Sequence, residues 1–102
     1  MNGRPLVTEI ACRLVRVHGH VQGVGFREAC VHAARRSGVT GWIRNRIDGS
    51  VEAMLQGSPD ALEALTGWLR DGDTPGLVER IEVDSLEPPF PRFDRFDRLA
   101  TA

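Results

Sequence analysis

The run His20-Val21-Gln22-Gly23-Val24-Gly25-Phe26-Arg27 joins an alternating apolar segment, Leu14 to His18, to a helical pattern from about Phe26 to Ser37. Those flanks make it a strand-to-helix loop. Gly19, Gly23 and Gly25 let the backbone turn sharply. They also let a ligand approach the N–H groups that a starting helix has not yet captured. Convergent N–H groups, the positive end of a helix dipole and Arg27 in the first turn together form an anion site that calls for no metal. The guanidinium adds a fork able to hold two phosphate oxygens. Without Arg27 the glycines would serve an unliganded tight turn equally well. The loop lacks the third glycine of dinucleotide sites, and no Gly-Lys-Ser/Thr follows as in a P-loop. It is a phosphate loop of another kind.

The rest of the chain supplies the frame. Residues 1–9 show no period and read as a loose lead-in. A first strand covers Ile10 to His18, with Val15 and Val17 on one face and Leu14, Arg16 and His18 on the other. In the first helix Phe26, Ala29, Cys30, Ala33, Ala34 and Ser37 recur at helical spacing, and Gly38 ends it. Thr40 to Ile47 reads as a second strand, Asp48-Gly49 as a hairpin turn and Ser50 to Leu55 as a third strand. Ser58-Pro59 opens a second helix whose buried stripe is Leu62, Leu65, Trp68 and Leu69, stopped by Gly72. Val78 to Leu86 is a fourth strand, with Ile81 and Val83 inward. Residues 87–102 read either as an irregular tail or as an edge strand, since Phe93 and Phe96 do not alternate.

Strand, helix, strand, strand, helix, strand is the βαββαβ order of the ferredoxin-like α/β sandwich: an antiparallel sheet with two helices on one face. A strand-helix-strand crossover makes the first two strands parallel, so their C-terminal ends share one edge. The glycine loop leaves the first strand there. Asn45 stands near the end of the second, a polar residue in a row with Ile43 and Ile47. Asn often caps a turn, and Asp48-Gly49 follows closely. The topology offers another role, because an amide beside the loop can hold a water by donating one hydrogen bond and accepting another.

Composition narrows the function. A chain of 102 residues is one domain with a core of ordinary size. Its net charge of −1 argues against nucleic acid or an anionic membrane as the main partner. All 13 basic residues are arginine, which reads as compositional bias in the source genome. Cys12 and Cys30 lack metal-ligand spacing and are expected as buried thiols in a reducing compartment. With neither a membrane-length apolar run nor a signal sequence, the chain is placed in the cytoplasm. His18 and His20 lie near the loop, but a lone histidine at a strand end more commonly packs or faces solvent.

Taken together, Gly19-His20-Val21-Gln22-Gly23-Val24-Gly25-Phe26-Arg27, Gly41-Trp42-Ile43-Arg44-Asn45 with Asp48-Gly49 and Val51-Glu52-Ala53, and then Gln56-Gly57 closely resemble the acylphosphatases. The resemblance runs in register from about Arg13 to Leu86. It implies that Arg27 binds the phosphate of an acyl phosphate and that Asn45 positions the attacking water. It further implies that the N–H groups of Gln22, Gly23, Val24, Gly25, Phe26 and Arg27 hold the phosphoryl oxygens. The activity implied is hydrolysis of a small-molecule carboxyl–phosphate anhydride without metal or other cofactor, by a monomer. Ala29, where the family often has an aromatic residue, and Cys30 depart from the pattern and bear on helix packing. Two rival readings exist. An RNA-binding module shares the strand and helix order, yet Ser50 to Leu55 offers no stacking aromatic. An accessory domain of a larger carbamoyl-transfer maturation protein would need zinc-binding cysteines and further domains.

Overall fold

The computed structural model describes residues 9–102, so the expected lead-in lies outside it but for Glu9. The elements are β1 (Ala11–His20), α1 (Phe26–Arg36), β2 (Thr40–Asn45), β3 (Val51–Gly57), α2 (Pro59–Asp71), β4 (Leu77–Ser85) and β5 (Phe96–Arg98). They form one sheet in the order β4-β1-β3-β2-β5. β1 runs antiparallel to both β3 and β4, and β2 antiparallel to β3, which gives the ferredoxin-like α+β sandwich. One feature of the sheet departs from expectation. β5 lies parallel to β2, pairing Phe96 with Gly41 and Arg98 with Ile43, so the sheet is mixed and not wholly antiparallel. Phe96 explains the strand, since its side chain enters the core and is only 2% exposed. Phe93 stays outside, its N–H donating to Gln56 Oε1 where the tail crosses the sheet.

Alternation decides which side of each strand meets the helices. Val15, Val17, Ile43, Val51, Ala53 and Leu55 pack with Phe26, Cys30, Val31, Ala33 and Ala34 of α1 and with Leu62, Leu65 and Leu69 of α2. Two expected core positions differ. Ser37 is exposed at the end of α1, its hydroxyl donating to the Ala33 carbonyl at 2.8 Å, and Val31 fills the buried stripe. Trp68 packs against the margin of the core instead of inside it. α2 begins as its sequence signals, with Ser58 Oγ accepting from Ala61 N–H at 3.2 Å and Pro59 at the first position.

The β2–β3 turn is longer than the expected two-residue hairpin. Arg46 N–H donates to the Ser50 carbonyl at 2.8 Å and Gly49 N–H to the Arg46 carbonyl at 3.1 Å, leaving Ile47, Asp48 and Gly49 as a three-residue loop. β2 therefore stops at Asn45. Asp48, not Asn45, holds this turn: its carboxylate accepts from Ser50 N–H at 2.9 Å and from Ser50 Oγ at 2.6 Å.

On the face away from the helices, Glu82, Arg16, Glu52 and Arg44 stand in one row across β4, β1, β3 and β2, with charges alternating in sign. Glu52 is only 2% exposed yet remains an anion. Burial pushes its carboxyl up. The hydrogen bonds from Arg44 and Arg16, with the charges of Arg44 and Arg46, outweigh burial and hold it below the usual carboxylate range. The three guanidiniums lie 2.8 to 3.2 Å away, and Arg44 also stacks on Trp42, 4.8 Å from the ring centre.

Candidate active site

The loop between β1 and α1 has the backbone of an anion cradle. Gly23 and Gly25 take φ of 74° and 87°, where a Cβ would be strained. Gly25 is the N-cap of α1, and no side chain caps the helix. Ala29 N–H, bonded to the Gly25 carbonyl at 3.1 Å, opens the α-helical ladder. The N–H groups before it, those of Phe26, Arg27 and Glu28, belong to the first turn and have no acceptor within the helix. A small cavity of about 100 Å³ opens there, walled by Gly23, Gly25, Phe26 and Arg27 together with Val21, Glu28 and Arg98. Among the described residues Arg27 forms no ion pair, whereas Arg16, Arg44 and Arg46 are all engaged by Glu52.

Asn45 is the last residue of β2 and does not itself wall this cavity. It pairs with Val51 of β3, which on its other side pairs with Val17 of β1, three residues before the end of that strand. Its side-chain oxygen Oδ1 is buried and accepts no hydrogen bond among the described residues. Leaving a buried acceptor unpaired costs about 1–3 kcal/mol. Such a group is characteristic of a site that reserves it for a ligand or a bound water.

The other expected loop residues divide by role. Gln22 does not wall the cavity. Its amide nitrogen donates at 2.8 Å to both the Arg46 and the Ser50 carbonyls, which clamps the loop to the β2–β3 turn just beyond Asn45. Nothing in the sequence distinguishes this clamp from a cradle residue. Val24 is half-buried and anchors the loop on the core. His18 lies on the open sheet face with its Nε2 at 2.5 Å from Glu82, and His20 is exposed. Neither histidine walls the cavity. A further brace escaped the sequence reading: past β5, Ala102 N–H donates to the Asn45 carbonyl at 3.0 Å and Ile47 N–H to the Ala102 carbonyl at 2.9 Å. The tail thus holds the strand that carries Asn45.

A model of the acylphosphatase family matches residues 13–97, a span that contains the cradle, Arg27 and Asn45. The chain belongs to the acylphosphatase family. Acylphosphatase 1 of Ralstonia nicotianae is 61% identical over 92 residues, 90% of each chain. Among solved structures, an acylphosphatase from Coxiella burnetii superposes with a TM-score of 0.80 at 31% identity, covering 88% of this chain and 93% of that one. The acylphosphatase from Bacillus subtilis gives 0.79 at 31% identity, covering 89% and 99%. The expected fold and family both stand.

Proposed function

We propose that this acylphosphatase-family chain is a single-domain enzyme over residues 1–102 that hydrolyses acyl phosphates to a carboxylate and inorganic phosphate. The observation that carries the reading is an uncapped helix start holding Arg27 together with an Asn45 Oδ1 that is buried and unpartnered among the described residues, next to the turn that Gln22 clamps to the loop. The phosphoryl group sits on the loop N–H groups from Gln22 to Arg27, with the Arg27 guanidinium on its oxygens. Asn45 orients a water by accepting a hydrogen bond from it at Oδ1. The water oxygen attacks phosphorus in line, the bond from phosphorus to the acyl oxygen breaks, and the electron pair leaves on the carboxylate. A phosphoryl oxygen takes the proton the water loses. The anhydride is already activated, so positioning and charge stabilisation supply most of the acceleration and no protein base is required.

The reading is of a metal-independent reaction, carried by the Arg27 guanidinium and the free N–H groups of the first turn. The open face supports a chain without nucleic-acid partners. Its β1 and β3 residues are Cys12, Leu14, Arg16 and His18 with Glu52, Met54 and Gln56, and no Phe, Tyr or Trp stands among them as a stacking platform. Among the described residues no helix is long and apolar enough to cross a membrane. The two cysteines are free, buried and on opposite faces of the sheet, which suits a monomer in the reducing cytoplasm. The test is phosphate release from acetyl phosphate with a chelator present. Undiminished turnover is expected, and loss of activity restored by a divalent ion would contradict the reading.

A further inference from the structure

The cradle cavity has a second guanidinium in its wall, and this one comes from the tail. Arg98 is the last residue of β5 and lies one position beyond the segment that matches the family model. In the register of β5 on β2, Phe96 faces Gly41 and Arg98 faces Ile43, so Arg98 rises on the same side as the core residue Phe96, toward α1. Its backbone is fixed on both sides. Leu99 N–H donates to the Ile43 carbonyl at 2.8 Å, and Arg35 Nη2 to the Phe96 carbonyl at 3.0 Å. The side chain ends in an ion pair with Glu28, the residue after Arg27, and both line the cavity.

The placement of Glu28 creates the question that Arg98 answers. A carboxylate in the first turn of a helix suits the dipole, but beside a phosphate cradle it repels the substrate. We infer that Arg98 is a second cation of the anion site, held at its rim by Glu28, and that Glu28 competes with the phosphoryl group for it. The pair then sets how tightly phosphate is held. With the phosphate dianion in the cradle, the guanidinium turns from Glu28 to a phosphate oxygen. When the product leaves, Glu28 takes the cation back, which limits product inhibition. Both side chains are about half exposed, 52% for Arg98 and 56% for Glu28, so either can move without disturbing the core.

The inference rests on the acyl phosphate reading, and the experiment separates the two. Inorganic phosphate is the probe, with its binding followed by calorimetry and its inhibition of acetyl phosphate hydrolysis by kinetics, in wild type, Arg98→Ala, Glu28→Gln and the double variant. Arg98→Ala is expected to weaken phosphate binding by roughly three- to tenfold, the scale of a partly solvated charge pair, and to raise KM more than it lowers kcat. Glu28→Gln is expected to tighten phosphate binding. The double variant is expected to bind phosphate more weakly than Glu28→Gln, and Arg98→Lys to restore part of the loss. A double variant equal to Glu28→Gln would show that Arg98 only neutralises Glu28, and would overturn the inference. Unchanged phosphate binding in Arg98→Ala would do the same. Phosphate binding that follows this order in a protein that turns over no acyl phosphate would uphold the second cation and refute the activity.

Discussion

Replacing Gln22 tests whether cradle and strand end are mechanically joined. One amide nitrogen spends both its hydrogens on the Arg46 and Ser50 carbonyls, each at 2.8 Å. Both acceptors keep a backbone partner, Gly49 N–H for Arg46 and Arg46 N–H for Ser50. Gln22→Ala therefore removes two bonds without orphaning a carbonyl, a loss of about 1–3 kcal/mol at 0.5–1.5 kcal/mol per bond. For a domain of this size each kcal/mol moves Tm by about 4–8 °C, so a fall of roughly 5–20 °C is expected. Gln22→Glu is the sharper probe. It keeps the shape of the side chain but offers no donor and sets a carboxylate against two carbonyl oxygens, so it should be no more stable than alanine. Loosening the clamp lets cradle and Asn45 drift apart, and kcat/KM should drop by about ten- to a hundredfold even well below Tm. Thermal unfolding and steady-state kinetics on the same preparations decide. A Gln22→Glu protein with wild-type Tm and kcat/KM would refute the coupling.

Two further outcomes follow from the geometry. Arg27→Ala should nearly abolish turnover and weaken phosphate inhibition while leaving Tm close to wild type, and Arg27→Lys should rescue poorly because an ammonium lacks the bidentate fork; wild-type phosphate affinity in Arg27→Ala would place the anion elsewhere. Glu52 ties stability to acid pH: its folded pKa is depressed, so its contribution is complete above the unfolded value of about 4.3 and fades as pH falls through the lower folded value. Tm should therefore drop more steeply below about pH 4 in wild type than in Glu52→Gln, and parallel curves would remove Glu52 from the acid response.

What the sequence disclosed, it disclosed through period and through residues out of place. Val15 and Val17, or Leu62, Leu65 and Leu69, mark their buried sides by spacing alone, and Asn45 is visible because it breaks an apolar row. Relations that depend on partners far along the chain stayed hidden. Glu52 alternates like a solvent-facing residue, and the arginines that surround it come from β1, β2 and the turn after β2. β5 rests on one buried side chain, Phe96, which is too little to set a period. The clamp made by Gln22 and the approach of Arg98 to the cavity are both tertiary, since each joins segments that no local pattern connects.

The claim that Asn45 serves the water, and not the fold, is open to one direct measurement: kcat, KM and Tm of Asn45→Ala side by side. Among the described residues Oδ1 is buried without a partner and Asp48 already holds the turn, so removing the amide gives up no hydrogen bond that Oδ1 makes with them. The expected result is a kcat lower by about a hundred- to a thousandfold, a KM changed little and a Tm equal to wild type or higher. A variant that melts well below wild type and turns over normally at temperatures where it is folded would contradict it, and would make Asn45 a structural residue.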